Sequence, residues 1–449
     1  MTAAGNVKGR AQSPDNRVPF DKLIITSPKR AAHVQSGWDG FFPYYAGYPE
    51  QFARSLIESA QLPAAAVILD PWNGSGTTTY AASKLGYSSR GLDLNPVMSI
   101  VARARLLPPS EADSIEPLVR ELVKGVRSDT PIDANDPLLL WFKKPAAAVL
   151  RAIERRFRDH LIGHRTLSSE GVRLDQMSGL AATFYVALFS VCRQLTEPYR
   201  SSNPTWLKQP KAGEKRIGAE RDDIVSEVKA NLHDMAAALS EAHGGPANER
   251  GAVELVTADT TKSILMLGSV DFVLTSPPYC TRIDYSAATR IELAVLHPLI
   301  NLRMEDLGRR MIGSTRVPTE PLRPQENWGR TCNSFLRKLK AHPSKASAGY
   351  YFKTHLDYFQ KMAASLANLT ATVKSHSGAV LIVQDSFYKD IHNDLPSIVV
   401  EMAEAAGMRL RRREDFHLKR SMADINPNAK AYKRIPGAVE AVLCLEKDN

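Results

Sequence analysis

Two short segments of the sequence combine residue types that are suited to chemistry on a nucleoside. The first is Gly74-Ser75-Gly76, which follows the apolar run Ala66–Asp70. Glycines at the end of a strand let the backbone approach a bound nucleoside closely. The second is Thr275-Ser276-Pro277-Pro278-Tyr279, which follows the apolar run Val270–Leu274. Because open α/β sheets place their active sites at the carboxyl ends of strands, the two segments predict a cofactor site and a catalytic site at one edge of a sheet.

The residues around the glycine turn narrow the class of cofactor. Asp93 lies 23 positions after Asp70, at the end of the next apolar run, and suits hydrogen bonding to both hydroxyls of a ribose. Thr79 stands where a dinucleotide-binding turn has its third glycine, and no lysine follows the glycines as in a triphosphate-binding loop. The pattern favours a nucleoside cofactor without a pyrophosphate, with S-adenosylmethionine as the first candidate. The alternative is a glycine turn that serves only tight packing.

The second segment is suited to hold an amino group on a planar ring. The two prolines fix φ and lack an N–H donor, so the carbonyls of Ser276 and Pro277 are expected to face a substrate as acceptors. The Ser276 hydroxyl adds another acceptor, and Tyr279 offers a flat surface for stacking. These groups match the exocyclic amino group of a nucleic-acid base. The alternative is a Pro-Pro stop after a strand, followed by a tyrosine of the core.

Together the segments resemble the amino-group DNA methyltransferases, which act on N4 of cytosine or N6 of adenine. DPWNGSGTT is similar to their cofactor motif DPFxGSGTT, with Trp72 replacing the phenylalanine, and TSPPY is similar to their catalytic motif. The resemblance implies S-adenosylmethionine as cofactor and no metal. It implies cofactor contacts by Tyr48, Asp70, Trp72, Gly74, Ser75, Gly76, Thr77, Asp93, Asp259 and Thr275, and catalytic roles for Ser276, Pro277, Pro278 and Tyr279.

The same resemblance implies the reaction and leaves its target open. Serine at the first position of the catalytic motif is more typical of N4-cytosine members, and aspartate of N6-adenine members. N4 of cytosine is therefore the first expectation and N6 of adenine the second. An RNA or tRNA amino-methyltransferase and a catalytically inactive DNA-binding protein of this fold are further alternatives. C5-cytosine enzymes are disfavoured because the chain contains no Pro-Cys dipeptide. The implied mechanism is direct methyl transfer to a flipped base.

The order of elements predicts an α/β fold, a Rossmann-like class I methyltransferase with a mostly parallel sheet and an inserted helical subdomain. Residues 1–36 are expected to form a flexible segment, and residues 37–106 the first part of the core with the cofactor motif. Residues 107–250 are predicted to be a helical insertion with a role in target recognition. Residues 251–449 form the second part of the core, interrupted by a basic insertion at about 300–348.

The charge of the chain favours a polyanionic partner, and double-stranded DNA is the expected one. The 449 residues include 58 Lys and Arg against 48 Asp and Glu, a net charge of +10. Trp206 and Lys208 lie in a basic loop over residues 200–216, and Arg309, Arg310 and Arg316 lie in the basic insertion. We expect these five residues to contact DNA, the alternative being a solvated surface. The resemblance also admits a cognate restriction endonuclease on a separate chain.

Cysteine usage and hydropathy indicate a reducing compartment and no membrane span. The four cysteines, Cys192, Cys280, Cys332 and Cys444, are widely separated and form no CxxC pair, which disfavours a disulfide framework and a zinc site. The longest uncharged apolar stretch, Met177–Cys192, is shorter than the ~20 residues that a membrane helix needs. The N-terminal segment has no apolar region typical of a secretory signal. The expected location is the prokaryotic cytosol or nucleoid.

Overall fold

A computed structural model describes most of the chain. The described residues are 18–29, 38–43, 47–163, 167–168, 171–172, 174–201, 207–241, 250–262, 267–280, 285–300, 303–316, 321–417 and 438–448. Within them, no helix is long and apolar enough to cross a membrane. The four cysteines are buried and unpaired.

Seven strands form the central sheet in the order β6-β7-β5-β4-β1-β2-β3. They are β1 (Val67–Asp70), β2 (Ser88–Asp93), β3 (Val253–Thr257), β4 (Val270–Thr275), β5 (Val373–Gln384), β6 (Met408–His417) and β7 (Val439–Lys447). Strand β7 runs antiparallel to both of its neighbours, and the other pairs are parallel. The strand order reverses between β1 and β4. That reversal opens a crevice at the carboxyl ends of the strands, where ligands bind in such sheets.

Helices cover both faces of the sheet and fill the insertions. They are α1 (Glu50–Ser59), α2 (Thr77–Lys84), α3 (Pro96–Arg105), α4 (Ala112–Leu122), α5 (Lys144–Leu161), α6 (Gly179–Leu195), α7 (Arg221–Glu241), α8 (Arg290–Leu296), α9 (Met304–Arg310), α10 (Gly329–Ala341), α11 (Phe352–Thr372) and α12 (Leu395–Ala405). Short helical turns occur at Trp38–Phe41 and Tyr285–Ala288. The predicted Rossmann-like α/β fold with a mostly parallel sheet is confirmed.

The helical insertion shares its hydrophobic core with the α/β part of the chain. Val97 and Val101 of α3 belong to the same buried cluster as Ile153 of α5 and Phe184 of α6. Helix α8, which follows the second motif, contributes Leu296 to that cluster. The sequence boundary at residue 106 therefore does not separate two cores. Burial of apolar area at this shared core holds the insertion in one orientation on α3 and α8.

A buried arginine reinforces that orientation. Arg151 of α5 is 4% exposed, and its guanidinium donates to both carboxylate oxygens of Asp136, at 2.7 and 3.0 Å. It also donates to the carbonyls of Ala294 and Val295 in α8, at 2.9 and 2.8 Å. A buried charge is stable only when it is paired and hydrogen-bonded. These contacts tie the insertion to the segment that follows the second motif.

Part of the segment that the sequence predicts to be flexible is packed against the sheet. Val18, Phe20 and Leu23 are buried in a cluster with α1 and the central strands. Arg412 of β6 donates to the carbonyls of Phe20 and Leu23, at 3.0 Å each. The expectation for residues 1–36 is thus corrected for residues 18–29. Its remaining residues, 1–17 and 30–36, lie outside the described part of the chain. Three apolar residues without helical or strand period give a weak sequence signal, which explains the difference.

The basic insertion contains two helices that sequence reasoning did not separate. Helix α9 is seven residues long, and α10 is amphipathic. The buried face of α10 consists of Cys332, Phe335, Leu336 and Leu339. This face packs with α11 and α12 in one hydrophobic cluster. The basic residues of α10 lie on its outer face because its apolar residues occupy the inner one.

Candidate active site

Both predicted motifs line one cavity at the carboxyl edge of β1, β2 and β4. The cavity contains about 1010 Å³ of empty space including its open mouth, the size of a small-molecule site. Among the predicted site residues, its lining includes Tyr48, Asp70, Trp72, Gly74, Ser75, Thr77, Asp93, Asp259, Ser276, Pro277, Pro278, Tyr279 and Arg310. The strand order brings the two motifs together across some 200 residues of sequence.

Asp70 lies at the base of the cavity and is held by three donors. The hydroxyls of Thr78 and Thr275 donate to its two carboxylate oxygens, at 2.5 and 2.6 Å, and the N–H of Trp72 donates at 3.1 Å. Since the Thr78 proton goes to Asp70, the Tyr48 hydroxyl donates to the Thr78 oxygen, at 2.6 Å. This series of hydrogen bonds fixes the end of β1 and connects it to the segment before α1.

Asp93 lies at the end of β2 and orients the glycine turn. Its carboxylate accepts the N–H of Gly74 at 2.9 Å and the N–H of Asn95 at 2.8 Å. Gly74 has a φ of +48°, which favours glycine. The Asn95 side chain in turn accepts the N–H of Val97 and caps α3. One carboxylate thus positions the turn, and its remaining lone pairs are available at the cavity wall.

Burial raises the pKa of both carboxyl groups. Desolvation raises the pKa of Asp70 to about 6, and the hydrogen bonds from Thr275, Thr78 and Trp72 oppose this effect. Desolvation likewise raises the pKa of Asp93 to about 6, against its two backbone hydrogen bonds. The Asp70 charge raises the pKa of Asp93 further. With pKa values of about 6, both acids are still mostly ionised at neutral pH, and two buried carboxylates favour a cationic ligand or one with several hydrogen-bond donors.

Asp259 lies just beyond β3 at the other end of the same cavity. The Thr261 hydroxyl donates to its carboxylate at 2.6 Å, and the N–H of Thr261 donates at 3.1 Å. Arg310 of α9 donates to the other carboxylate oxygen at 3.4 Å. Arg310 was predicted to contact DNA, whereas the structure places it on the wall of the cavity. It pairs there with Asp259, a residue predicted to contact the cofactor.

Two aromatic residues that the sequence did not single out brace the Ser276–Tyr279 loop. The Tyr358 hydroxyl of α11 donates to the carbonyl of Pro278 at 2.8 Å. The N–H of Tyr279 donates to the Tyr285 hydroxyl at 3.2 Å. Ser276 donates its hydroxyl hydrogen to the carbonyl of Ile382 on β5, at 3.2 Å. The Ser276 oxygen keeps its lone pairs, as an acceptor role requires.

The phenol of Tyr279 lies in the electrostatic field of a buried acid, Glu440 of β7. Burial raises the pKa of Tyr279 far above its ordinary value, and the negative charge of Glu440 raises it further. The raised pKa keeps the Tyr279 phenol neutral at physiological pH.

Two predicted cofactor residues lie behind the cavity wall. Thr275 is fully buried, and its hydroxyl is directed to Asp70. Gly76 has a φ of +82° and precedes α2, where a Cβ atom would lie 2.8 Å from the Cβ of Ala102. Neither residue lines the cavity, so both support residues that do.

The other residues predicted to contact DNA lie at different depths. Lys208 and Arg309 are exposed, and Trp206 lies outside the described residues. Arg316 is half-buried and packs against Gly308. Its Nε atom lies so close to this glycine that a Cβ atom added there would be only 2.9 Å away. Within this group, Lys208 and Arg309 are therefore the basic side chains that solvent can reach.

Sequence reasoning missed several residues of the site for an identifiable reason. Asn95 and Tyr285 belong to no motif that was singled out, and Arg310 was predicted to contact DNA instead of lining the cavity. Asn95 alone had a signal, because an asparagine before a proline is typical of a helix start. The others reach the site only through the packing of distant elements.

Comparison with known proteins points to one class of enzyme. No family model matches the chain. The type II methyltransferase M.AvaI of Nostoc sp. is 20% identical over 419 residues, covering 88% of this chain and 83% of its own. The type II methyltransferase M.BsoBI of Geobacillus stearothermophilus is 25% identical over 263 residues, 56% of this chain and 51% of its own.

One solved structure aligns with most of this chain. The TehB-like SAM-dependent methyltransferase of Corynebacterium glutamicum is 10% identical, covers 88% of this chain and 87% of its own, and superposes with a TM-score of 0.27. The sheet topology described above is that of a Rossmann-like α/β fold, the fold class that the sequence predicts.

S-adenosylmethionine is the cofactor that the comparisons support, and the cavity suits it. Asp93 offers acceptors for hydroxyl donors, and the carboxylates of Asp70 and Asp93 suit a ligand that carries a sulfonium and an ammonium group. Trp72 lines the cavity, and its buried indole N–H has no hydrogen-bond partner among the described residues. A buried donor without a partner is costly, which is consistent with a partner on a bound ligand.

Proposed function

We propose that the protein transfers a methyl group from S-adenosylmethionine to an exocyclic amino group of a base in double-stranded DNA, with N4 of cytosine as the first target. The observation that carries this proposal is the Ser276–Tyr279 loop, which lines the same cavity as Asp70 and Asp93. Acceptors and an aromatic ring thus adjoin the cofactor site. The similarity to type II methyltransferases, a class that modifies DNA, supports DNA as the substrate.

The loop is suited to activate an amino nitrogen. When bound, S-adenosylmethionine supplies a methyl group whose bond to sulfur breaks as the new N–C bond forms, and sulfur keeps the electron pair. Ser276 and the Pro277 carbonyl accept the two amino hydrogens, which draws the nitrogen lone pair out of conjugation and toward the methyl carbon. The nitrogen then loses one hydrogen as a proton to solvent at the open mouth of the cavity. Alignment of the reacting atoms is expected to supply much of the acceleration.

The target base must leave the duplex to reach this loop. Flipping costs a few kcal/mol, and stacking on an aromatic side chain offsets about 1–3 kcal/mol of that cost. Tyr279 is the aromatic residue of the loop that lines the cavity. The hydrogen bond from its backbone N–H to the Tyr285 hydroxyl fixes the main chain that carries the ring before the base arrives.

N6 of adenine is the second candidate target. The acceptors of the loop suit the amino group of either base, and only the serine at position 276 favours cytosine through the resemblance. An amino-methyltransferase for RNA or tRNA is a further candidate with the same chemistry. A DNA-binding protein without activity is disfavoured because both motifs line the cavity intact.

Analysis of the methylated product tests the proposal. The purified protein is incubated with S-adenosylmethionine labelled in its methyl group and with unmethylated plasmid DNA, and the digested nucleosides are identified by mass spectrometry. We expect labelled N4-methylcytosine; N6-methyladenine would assign the second target. Parallel reactions with tRNA and ribosomal RNA separate the RNA alternative. Label in 5-methylcytosine, or in RNA alone, would refute amino-group methylation of DNA.

A further inference from the structure

One peptide group of the catalytic loop is held at both of its polar atoms. The carbonyl of Pro278 and the N–H of Tyr279 belong to the same peptide. The Tyr358 hydroxyl donates to that carbonyl at 2.8 Å, and the Tyr285 hydroxyl accepts that N–H at 3.2 Å. Because a peptide group is planar, two contacts on its opposite sides fix the orientation of the whole plane.

The two tyrosines reach this peptide from different elements. Tyr358 belongs to α11 and is 2% exposed, within the hydrophobic cluster that α11 forms with α10 and α12. Tyr285 begins the short helical turn after the loop and lines the cavity. The position of Tyr358 is thus set by the packing of a long helix, whereas a four-residue turn needs further contacts to hold Tyr285 in place.

Thr289 supplies such a contact. Its hydroxyl donates to the carbonyl of Tyr285 at 3.1 Å, one helical turn earlier in the chain. The same hydroxyl oxygen accepts the side-chain N–H of Asn95 at 2.8 Å. Thr289 and Asn95 are 2% and 3% exposed, so an unpaired group at either position would be costly. The Thr289 hydroxyl is therefore held as an acceptor and as a donor at the same time.

Asn95 connects these contacts to the carboxylate of Asp93. Its backbone N–H donates to Asp93 at 2.8 Å, and its side-chain oxygen accepts the N–H of Val97 at 3.1 Å. These two contacts orient the side-chain amide, because its oxygen is already used as an acceptor and its N–H remains for Thr289. Hydrogen bonds thus extend from Asp93, a predicted cofactor residue, to the main chain of the catalytic loop.

We propose that Tyr285 and Tyr358 are positioning residues for methyl transfer, which fix the peptide that carries the ring of Tyr279. Thr289 keeps Tyr285 in place for this role. The inference rests on the proposed function, because it assigns the loop to the flipped base. The orientation of this peptide sets the direction of the Tyr279 ring and of the neighbouring Pro277 carbonyl. Both groups must face the base, and small errors in their alignment slow the reaction.

Substitutions that remove single hydroxyl groups test the inference. Tyr285→Phe and Tyr358→Phe keep the rings, Thr289→Val keeps the shape of the side chain, and Thr289→Ser keeps the hydroxyl. We expect single-turnover methylation of plasmid DNA to be about three- to tenfold slower in the first three variants. Thr289→Ser should recover most of the rate. The affinity for S-adenosylmethionine, measured by calorimetry, should change much less, which a general loss of structure would not produce.

Two controls remove similar hydroxyl groups away from the cavity. Tyr87→Phe removes a hydroxyl that donates to the carbonyl of Leu62 at 3.1 Å. Thr370→Val removes a buried hydroxyl that donates to the carbonyl of Leu366 at 2.9 Å, one helical turn earlier. Neither Tyr87 nor Thr370 belongs to the described lining of the cavity. Both variants should keep the wild-type rate.

A double variant tests whether Thr289 acts through Tyr285. Tyr285→Phe combined with Thr289→Val should be no slower than the slower single variant. If Thr289→Val does not fold, the two tyrosine variants still decide. A wild-type rate in either tyrosine variant, a similar loss in the controls, or additive losses in the double variant would overturn the inference. An inactive wild-type protein would instead refute the proposed function.

Discussion

The guanidinium of Arg310 lies against the carboxylate of Asp259, with 3.4 Å between Nε and Oδ2. Arg310 belongs to α9 in the basic insertion, and Asp259 follows β3 at the cofactor end of the cavity. The Arg310 side chain is 41% exposed, so solvent screens the pair in part. The contact nevertheless places one arginine of a basic segment beside Asp259, a predicted cofactor residue, and on the wall of the cavity.

Substitution of Arg310 is expected to affect the cofactor more than DNA. Arg310→Ala removes a partner that orients Asp259 and a part of the cavity wall, so the affinity for S-adenosylmethionine should fall by up to about fivefold. Arg309→Ala is the matched control, because Arg309 is adjacent, exposed and absent from the described lining of the cavity. Calorimetry should show unchanged cofactor affinity in Arg309→Ala. Equal affinities in both variants would remove Arg310 from the cofactor site.

Substitution of Asp93 is expected to have the larger effect. Asp93→Ala removes the proposed acceptor for the ribose and leaves the N–H groups of Gly74 and Asn95 without their partner. A lost charged hydrogen bond costs about 1.5–3 kcal/mol, so the dissociation constant should rise by roughly one to two orders of magnitude. Asp271→Ala, which removes a buried acid of β4 outside the described lining, is the control. Unchanged affinity in Asp93→Ala would contradict the assignment.

The raised pKa values of Asp70 and Asp93 predict the pH dependence of cofactor binding. Each pKa is about 6, above the ordinary value of 3.8. In its neutral form each acid therefore stabilises the folded state below about pH 4, and this contribution is lost as the pH rises through about 6. The cationic cofactor requires the ionised form. Its affinity should therefore fall below pH 6, by up to about tenfold per pH unit for each acid. Calorimetry between pH 5 and 8 measures this, and a flat profile would contradict it.

The central site was predictable because its residues follow strands within short motifs. Asp70, Gly74 and Asp93 belong to one strand–turn–helix–strand unit, in which local order along the chain sets the geometry. Ser276 and Tyr279 follow the next central strand, and parallel strands end at a common edge. These residues meet because the topology of the sheet leaves few alternatives.

The supporting residues were not predictable for the opposite reason. Glu440 lies 161 positions after Tyr279, and its charge reaches the Tyr279 phenol only because β7 is antiparallel. Arg310 lies among other arginines, and nothing in its sequence context distinguishes it from Arg309. Contacts of this kind depend on how insertions pack on the core, which residue spacing does not encode. The same applies to Phe20, whose burial depends on β6.

Substitutions in the catalytic loop should separate turnover from cofactor affinity. Ser276→Ala removes an acceptor for the amino group, and Tyr279→Ala removes the stacking ring, while the contacts of Asp70 and Asp93 remain. We expect the methylation rate to fall by about tenfold or more in each, with S-adenosylmethionine affinity changed much less. Single-turnover assays and calorimetry on the same preparations provide both quantities. An intact rate in Tyr279→Ala would refute the stacking role.

Hydrogen bonds to backbone carbonyls hold the basic loop over residues 207–216 beside the cavity. Arg290 of α8 donates to the carbonyl of Leu207 at 3.1 Å, and Trp141 donates to the carbonyl of Lys208 at 3.0 Å. Arg290 directly follows Thr289, which lines the cavity. The exposed side chains of Lys208 and Lys211 therefore project from a loop that is anchored next to the proposed base pocket.

Neutralisation of these two lysines should weaken DNA binding without affecting the cofactor. Each phosphate contact that is lost should lower the slope of log affinity against log salt concentration by about 0.9. The matched control is the pair Lys124 and Lys229, which are also exposed and lie at the end of α4 and on α7, helices that pack against each other. Filter binding at several salt concentrations, with Lys208→Ala/Lys211→Ala beside Lys124→Ala/Lys229→Ala, measures both slopes. The same slope for the two double variants would mean that the loop does not contact the phosphates, and that the outer face of the basic insertion around Arg309 is the better place to look for them.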